Sequence, residues 1–427
     1  MATMKETTYA AVDVGTTKIA TLVAKVSPAG TMEVIALGHA TSEGMRKGVV
    51  VSPAELTESI RRSVDEARTM LGTDLPAVHV GITGGHLTCI NAAANLERQG
   101  KGAVRTFSQQ DVDRLLNTTL AHSDERRRIV HVVPRTYQVD GLRGVRNPIG
   151  MNGEKLSAES HIVVGDAATM DNLGHVVRAA GVKVRGMVIE HLASAEAVLT
   201  SDEREAGVVL VDIGGGTSDI AIYRDGAAWY TAAIPVAGQH FTNDIAIGLG
   251  LPPTVAEAAK IRHGSALLTG LDDPKEVVEL ESGLGEHTRP IARQTLNQLL
   301  HDRAVELVRM VLHKVGQSGL TRVPPAGIVL TGGCANLPGL AAIAADYGKC
   351  AVRIGTPPST LGLPPELEQS SFATGVGLLL WAIQHRHPGA VASSVTLNMG
   401  ALEKIRGWMS KLTSRRAPRA RNAEASV

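Results

Sequence analysis

The stretch LVDIGGGTSD, from Leu210 to Asp219, decides the fold, and AVDVGTTKIA, from Ala11 to Ala20, repeats its pattern near the start of the chain. Each copy is a β-branched run, an Asp, a turn of Gly and Thr, and a second apolar run. This order is typical of two strands joined by a tight turn. Glycine lets the backbone of such a turn approach a ligand, and its N–H groups favour phosphate oxygens, while the Asp can hold a hydrated magnesium ion. The sequence therefore predicts two phosphate-binding hairpins.

A third element of the same kind is AGIVLTGGCANLPGLAAIA, residues 326–344. It predicts a strand that ends in Thr331-Gly332-Gly333 and continues into a helix. A single D-x-G-T turn is weak evidence, because Asp, Gly and Thr are ordinary turn residues. Two such hairpins and a downstream T-G-G junction together indicate two phosphate-binding turns and an adenosine-binding element between two lobes. The chain has neither the G-x-G-x-x-G of a dinucleotide fold nor the GxxxxGK[ST] of a Walker site.

Composition limits the remaining possibilities. The 427 residues suggest two or three domains, and 44% hydrophobic with 20% charged residues is typical of a globular protein. A net charge of +1 gives no field that would attract nucleic acid, so we predict no nucleic-acid partner. Three separated cysteines, Cys89, Cys334 and Cys350, exclude a disulfide framework and favour the cytoplasm. We find no signal peptide and no uninterrupted apolar run of about eighteen residues, so we expect no segment to span a membrane.

The pattern along the chain predicts how the lobes are interrupted. Ser52-Pro53 opens a helix, and AVHVGI, residues 77–82, follows as a buried strand. The sequence pattern then changes to that of a small α+β insert. After the insert, HIVVGD, residues 161–166, indicates a return to the parallel strands of the first lobe. In the second lobe, residues 253–319 indicate a helical region. The predicted boundaries are 1–85 and 165–205 for the first lobe core, 86–164 for the insert, 206–250 and 323–384 for the second lobe core, 251–322 for a helical subdomain, 385–400 for a flexible linker, 401–413 for an amphipathic helix and 414–427 for a basic tail.

The C-terminal segment ALEKIRGWMSKL, residues 401–412, predicts a membrane anchor. At ~1.5 Å per residue this helix would be roughly 18 Å long, which is too short for a ~30 Å hydrocarbon core, so it would lie in the interface of an anionic membrane. One such anchor is marginal, and stable attachment would need many anchors on one polymer. The alternative is that the helix docks on the body of the protein or on a partner. The residues assigned to membrane contact are Leu402, Ile405, Trp408, Met409 and Leu412 on the apolar side, with Lys404, Lys411, Arg415 and Arg416 near the polar side.

The three-part nucleotide pattern resembles the actin, sugar-kinase and Hsp70 ATPase superfamily. The resemblance implies an α/β, actin-like (ribonuclease H-like) two-lobed ATPase fold that binds ATP and Mg²⁺. Asp13 and Asp212 would hold the metal through water, Asp212 would act in catalysis, and Glu190 would position the attacking water; a structural acid is the alternative for Glu190. For Glu257 and Lys260 the alternative is a solvated ion pair. The implied nucleotide contacts are Asp13, Gly15, Thr16, Thr17, Lys18, Asp212, Gly214, Gly215, Gly216, Thr217, Asp219, Gly238, Glu257, Lys260, Gly332, Gly333 and Asn336.

Five segments narrow the resemblance to the FtsA family of bacterial actin-like cell-division proteins. They are SEGMRKGVV, VGITGGH, HVVPRTYQVDGLRGVRNPIGMNG, LASAEAVLTSDEREAGVVLVDIGGGTSDIAIY and the T-G-G segment already quoted, and the likeness runs from Tyr9 to Ile383. It implies self-polymerisation, an insert (86–164) that contacts other division proteins, and a peripheral location on the cytoplasmic membrane face at the division site. It also implies that the helical subdomain binds the C-terminal tail of FtsZ, the tubulin-like division protein, through Arg289, Arg293 and Arg303. The alternative for these arginines is an exposed, solvated position.

Four functional classes compete on this evidence. An adaptor that links FtsZ polymers to the membrane, with at most slow ATP hydrolysis, accounts for the most features. A sugar or acyl kinase would need a catalytic Asp motif in a substrate pocket, and a chaperone would need a substrate module after the ATPase. A pilus-assembly relative shares the fold and the insert, but the basic amphipathic tail argues against it. About fifteen residues, TSRRAPRARNAEASV, follow the predicted anchor helix, which departs from the usual end of the family.

Overall fold

The structure is a computed structural model, described for residues 6–28, 30–97, 104–118, 126–268, 276–281 and 288–385. The strands of these residues are β1 Thr7–Val14, β2 Lys18–Val26, β3 Met32–Thr41, β4 Met45–Arg46, β5 Val49–Val50, β6 Val78–Ile82, β7 Leu87–Glu97, β8 Arg105–Thr106, β9 Arg127–Val139, β10 Leu142–Val145, β11 Asn152–Gly153, β12 Lys155–Asp166, β13 Val184–Ile189, β14 Val208–Ile213, β15 Ser218–Arg224, β16 Ala227–Ile234, β17 Val277–Glu281, β18 Thr288–Ala292, β19 Ile328–Thr331 and β20 Val352–Ile354. The α-helices are α1 Pro53–Leu71, α2 Gln109–Thr118, α3 Ala167–Ala179, α4 Glu190–Val198, α5 Ser201–Ala206, α6 Gly238–Leu249, α7 Pro253–His263, α8 Arg293–Gln317, α9 Leu340–Gly348 and α10 Ala373–Gln384. Short 3-10 helices lie at Gly333–Asn336, Ser359–Leu361, Pro365–Glu368 and Ser370–Phe372.

Two five-stranded sheets share one topology. The first has the order β3-β2-β1-β6-β13 and the second the order β16-β15-β14-β19-β20. In each sheet a hairpin and a third antiparallel strand come first, and two parallel strands are then added beside the first strand of the hairpin. Buried parallel strands are apolar along their whole length because both faces are covered, and β14 (VVLVDI) is buried at every position. The predicted pair of similar lobes is confirmed.

The insert is an antiparallel sheet of order β10-β9-β12-β7, with α2 packed on one face. Its own core contains Phe107, Leu115, Leu156 and Ile162. The prediction that residues 161–166 return to the parallel strands of the first lobe is wrong, because this run is the second half of β12 and pairs with β7 and β9. The run is continuously apolar because Ile162 faces the insert core while Val163 faces the core of the first lobe. A strand buried on both faces cannot be assigned to a parallel or an antiparallel sheet from its sequence alone.

The region between α6 and β19 is only partly helical. A hairpin, β17–β18, lies between α7 and α8, so the helical interpretation of residues 251–322 was incomplete. The strand β17 has the sequence VVELE, in which Val278 and Leu280 are buried. The long helix α8 then buries Leu296, Leu300, Leu307, Val308 and Val311.

Helix α10 lies in a different lobe from the one predicted. The sequence boundary assigned residues 323–384 to the second lobe, but α10 packs on α4, β1, β2 and β6 of the first lobe. Almost every residue of ATGVGLLLWAIQ is apolar, and the helix is buried along most of its length. At Gly377 a side chain would overlap the carbonyl of Ala193, so this glycine lets α10 and α4 approach closely. The chain thus crosses back to the first lobe after β20.

No helix within the described ranges is both long enough and apolar enough to cross a membrane. The predicted linker beyond His385, the amphipathic helix and the basic tail lie outside the described residues.

Candidate nucleotide site

The two predicted hairpins are present and have the same turn geometry. In the first, Val14 pairs with Ile19 and the Gly15 N–H donates to the Lys18 carbonyl at 3.0 Å. In the second, Ile213 pairs with Ser218, and the Gly214 N–H donates to the Thr217 carbonyl at 3.0 Å. Each turn therefore presents its backbone at the carboxyl end of a central strand, which is where open α/β sheets bind ligands.

The two turns lie directly against each other. A Cβ built on Gly215 would overlap Thr17 Cγ2, and one built on Gly216 would lie 2.6 Å from Thr16 Oγ1. Real Cβ atoms do not approach other atoms so closely, so only glycine fits at these two positions. The glycines of the second turn thus make room for the threonines of the first.

The third predicted element joins the second turn. The strand β19 ends at Thr331, and Gly332 follows with φ +84°, a conformation that favours glycine. A Cβ on Gly332 would lie 2.6 Å from the Ile213 carbonyl and would overlap Asp212 Oδ1. Gly238 is tied to the same turn, since its N–H donates to the Gly214 carbonyl at 3.0 Å.

These elements enclose a cavity of about 550 Å³. The volume falls in the range of small-molecule sites. Glu190 and every predicted nucleotide contact except Asp219 line it. Asp219 lies behind the wall, where it accepts hydrogen bonds from Thr83 Oγ1 (2.5 Å) and Thr217 Oγ1 (3.0 Å). The predicted lining residues are Asp13, Gly15, Thr16, Thr17, Lys18, Glu190, Asp212, Gly214, Gly215, Gly216, Thr217, Gly238, Glu257, Lys260, Gly332, Gly333 and Asn336.

Sequence reasoning missed part of the wall. Thr83 and Thr374 line the cavity, together with Ser371 and Phe372 from the segment before α10. A signal for Thr83 exists, because Thr83-Gly84-Gly85 lies at the carboxyl end of β6 as Thr331-Gly332-Gly333 lies at that of β19. The other three residues follow a proline-rich segment with no motif, and only the crossing of the chain back to the first lobe brings them here. The further missed residues are Gln239, Ile261, Cys334, Leu337 and Pro338.

The cavity floor is acidic. Burial raises the pKa of Asp13 to about 6, against the opposing effect of Lys18. Burial also raises the pKa of Asp212, and it raises that of Asp219 to about 7. Burial and the nearby aspartates raise the pKa of Glu190 well above its usual range, and Glu190 Oε1 has no hydrogen-bond partner within the described part of the chain. Removal of the ionised form from water is the common cause of these shifts.

The side-chain amine of Lys18 interacts with the acidic residues of the cavity floor. Its Nζ donates to the Ser371 carbonyl at 2.8 Å and lies 3.3 Å from the centroid of the Phe372 ring. Burial lowers its pKa, while Asp13 and Asp212 act in the opposite direction. Carboxylate oxygens are the ligands that Mg²⁺ prefers, so Asp13 and Asp212 fit a hydrated magnesium ion better than they fit a bare polyphosphate.

Glu257 and Lys260 form an ion pair within the cavity wall. Lys260 Nζ donates to Glu257 Oε2 at 2.7 Å, to Thr242 Oγ1 at 2.9 Å and to the Gly238 carbonyl at 3.1 Å. Only 11% of the lysine side chain is exposed, so the alternative of a fully solvated pair does not hold for Lys260. Gly238 thus links this ion pair to the second turn, because its carbonyl accepts from Lys260 and its N–H donates to Gly214.

The three arginines predicted to contact a peptide lie outside the cavity and already have partners. Arg303 donates to both carboxylate oxygens of Asp244, at 2.6 and 2.9 Å, and it also pairs with Glu306. Arg293 pairs with Glu276, and Arg289 donates to the Leu249 carbonyl at 3.0 Å. Arg289 is exposed, as the alternative expects, whereas Arg293 and Arg303 are partly buried and paired with carboxylates.

A larger groove of about 790 Å³ runs along α8 on another face. It contains none of the residues predicted for a site, and it includes Arg309, His313 and Tyr347 in its walls.

Two sheets of one topology, with a phosphate-type turn from each against a shared cavity, define the class of actin-like ATPase folds. The solved structure of the PilM–PilN type IV pilus biogenesis complex has this fold, with a TM-score of 0.63 at 15% identity over 88% of this chain and 98% of that one. MreB5 of Spiroplasma citri bound to AMPPNP gives a TM-score of 0.51 at 12% identity, covering 94% of this chain and 98% of that one. The predicted fold class is confirmed.

Sequence comparison gives the family within this class. The model of "Cell division protein FtsA" matches residues 209–377, that of the SHS2 domain inserted in FtsA matches 84–164, and that of the ethanolamine utilisation protein EutA matches 159–249. The cell division protein FtsA of Pseudomonas aeruginosa is 37% identical over 407 residues, which cover 93% of this chain and 96% of the relative. FtsA of Escherichia coli K12 is 35% identical over 412 residues, with the same coverage. The chain belongs to the FtsA family of cell division proteins, and the predicted resemblance is confirmed.

Proposed function

We propose that this protein is an ATP-binding, self-polymerising adaptor that tethers FtsZ polymers to the cytoplasmic face of the cell membrane during division. The observation that carries the nucleotide part is the pair of glycine-containing turns that face one cavity. The family supplies the division context. The C-terminal sequence supplies the membrane part, through the basic amphipathic helix predicted at residues 401–413.

ATP would lie with its polyphosphate between the turns Gly15–Lys18 and Gly214–Thr217 and with its adenosine against Gly332, Gly333 and Asn336. Backbone N–H groups of the turns and the amine of Lys18 would bind phosphate oxygens. Bound Mg²⁺ would neutralise phosphate charge, and Asp13 and Asp212 would hold it through water. Glu257 and Lys260 would contact the nucleotide from the opposite wall.

We expect slow hydrolysis, because the site offers no unambiguous base beside the phosphates. Glu190 lines the cavity and would orient the attacking water, but burial and the nearby aspartates raise the pKa of its carboxyl, which opposes action as a general base. ATP then acts mainly as a conformational ligand. A turnover above roughly one per second would contradict this part of the proposal.

The FtsZ tail would bind on the face formed by α6 and the arginines. Arg303 contacts Asp244, Arg289 contacts the end of α6, and Ile247 lies between these points with 83% of its surface exposed. An acidic and partly apolar peptide suits this surface. A guanidinium group binds a carboxylate through two parallel hydrogen bonds, and an exposed isoleucine offers apolar contact. The peptide would have to compete with Asp244 for Arg303.

Flotation with anionic liposomes in ATP tests the adaptor. We would compare the full chain with a chain that ends at Gly400, each with and without FtsZ polymers. We expect only the full chain to float and to carry FtsZ with it. If both chains float, or neither does, the tail is not the anchor; if the full chain floats and leaves FtsZ behind, a pilus-assembly role on the same fold becomes the better explanation.

A further inference from the structure

Asp212 is held by two hydroxyl groups that come from the other lobe. It lies at the end of β14 in the second lobe, and its Oδ2 accepts hydrogen bonds from Ser194 of α4 and from Thr374 of α10, the latter at 3.0 Å. The two hydroxyl oxygens are 3.0 Å apart. All three side chains are buried.

The second carboxylate oxygen of Asp212 has different surroundings. A Cβ on Gly332 would overlap Oδ1, so the absence of a side chain at Gly332 keeps space next to this oxygen. Asp212, Gly332 and Thr374 all line the cavity. The carboxylate is therefore fixed through Oδ2, while Oδ1 lies beside the glycine of the adenosine element.

We propose that Ser194 and Thr374 are positioning residues that hold Asp212 in the orientation needed to accept hydrogen bonds from Mg²⁺-bound water. This inference rests on the proposed binding of ATP with Mg²⁺. Hydrogen bonds to a charged acceptor are stronger than neutral ones, so two hydroxyl donors on one oxygen fix the rotamer of the carboxylate.

The arrangement also links the cation site to closure of the lobes. Both donors belong to helices of the first lobe, which α10 joins only because the chain crosses back after β20. The acceptor belongs to the second lobe. Asp212 is therefore oriented when the lobes are together, and separation of α4 and α10 from β14 would release it.

The test compares the affinity for ATP with excess Mg²⁺ and with EDTA, by isothermal titration calorimetry. We would use Ser194→Ala, Thr374→Val and Thr374→Ser, with Thr21→Val as a matched control. Thr21 is a buried threonine whose hydroxyl bonds to Ser63 within the first lobe, and it does not line the cavity. We expect Ser194→Ala and Thr374→Val each to reduce the gain in affinity due to Mg²⁺ by about tenfold, with little change in EDTA. Thr374→Ser should keep the gain, as should Thr21→Val.

Each other result has a definite meaning. Equal losses in Mg²⁺ and in EDTA would assign the hydroxyls to general stability and overturn the inference, as would variants that keep the full Mg²⁺ gain. If the wild-type chain binds ATP without any Mg²⁺ gain, the inference fails while ATP binding stands; if it binds no ATP at all, the proposed function fails first. Should Thr374→Val not fold by circular dichroism, Ser194→Ala and Thr374→Ser still decide the question.

Discussion

The first and second hairpins have the same backbone geometry but carry different side chains. Both have a paired Asp before the turn and the same backbone hydrogen bond across it. The first turn carries bulk and positive charge, with Thr16, Thr17 and Lys18. The second turn carries three glycines, and its carboxylate Asp212 pairs across the strands with a second carboxylate, Asp219, where the first hairpin has Ala20. The duplicated motif therefore predicts the same backbone geometry at both hairpins, but each hairpin contributes different chemical groups to the shared site.

We expect the largest loss of ATP affinity when a side chain is added at a glycine of the second turn that makes room for the first turn. In Gly215→Ala the new Cβ would overlap Thr17 Cγ2, so the turns must separate. Overpacking of this kind costs about 1–3 kcal/mol, so we expect the affinity for ATP to fall by roughly 10- to 100-fold. Equilibrium titration with ATP measures the change.

Two variants sharpen this comparison. Gly316→Ala in α8, outside the cavity, is the control, since its Cβ would meet nothing within 4 Å. Combining Gly215→Ala with Thr17→Ser removes the overlapping methyl group and should recover much of the affinity. A Gly215→Ala variant that binds ATP as well as the wild type would show that the turns need not approach as closely as described.

The next effect concerns the charge that only the first turn supplies. Lys18→Met keeps most of the side-chain volume and removes the cavity-lining amine that donates to the Ser371 carbonyl. Hydrogen bonds to charged groups contribute ~1.5–3 kcal/mol, so we expect about a tenfold or greater loss for ATP. Adenosine should bind the variant and the wild type equally, because it has no phosphate. An equal loss for both ligands would argue that Lys18 supports the fold and not the phosphates.

The smallest effect concerns the carboxylate that only the second hairpin carries. The pKa of Asp219 is raised to about 7 in the folded state, so the folded protein binds more protons than the unfolded chain between about pH 4 and 7. This group therefore contributes stability at low pH that is lost as the pH rises through the folded pKa. In Asp219→Asn that pH dependence disappears, and we expect the difference to be on the order of 2 kcal/mol or less.

Thermal unfolding without nucleotide at pH 5 and pH 8 measures this contribution. Relative to Asp219→Asn, the wild type should lose stability from the lower to the higher pH. Tyr223→Phe, in the same strand, offers a control, because the tyrosine pKa lies far above this range and its change should leave the pH dependence unaltered. A wild type that gains stability relative to Asp219→Asn as the pH rises would contradict the assignment.

The sequence alone determined the local elements of this protein. The two hairpins, the T-G-G junction and the helix that begins at Pro53 each depend on residues close in the chain, whose conformational preferences are strong. The two hairpin turns and the T-G-G junction line one cavity, because the carboxyl ends of central strands meet at the edge of each sheet.

Only the tertiary structure decided which distant segments meet. The sequence cannot show that α10 crosses to the first lobe, because an apolar helix can pack on either core, and so Thr374 and Ser371 escaped prediction. Nor can it show that residues 161–166 form an antiparallel strand, because burial on both faces removes the alternation that would reveal it. The partners of Arg303 and Asp212 were likewise decided by packing, because a hydrogen bond between residues far apart in the chain depends on where the fold places them and leaves no periodic trace in the sequence.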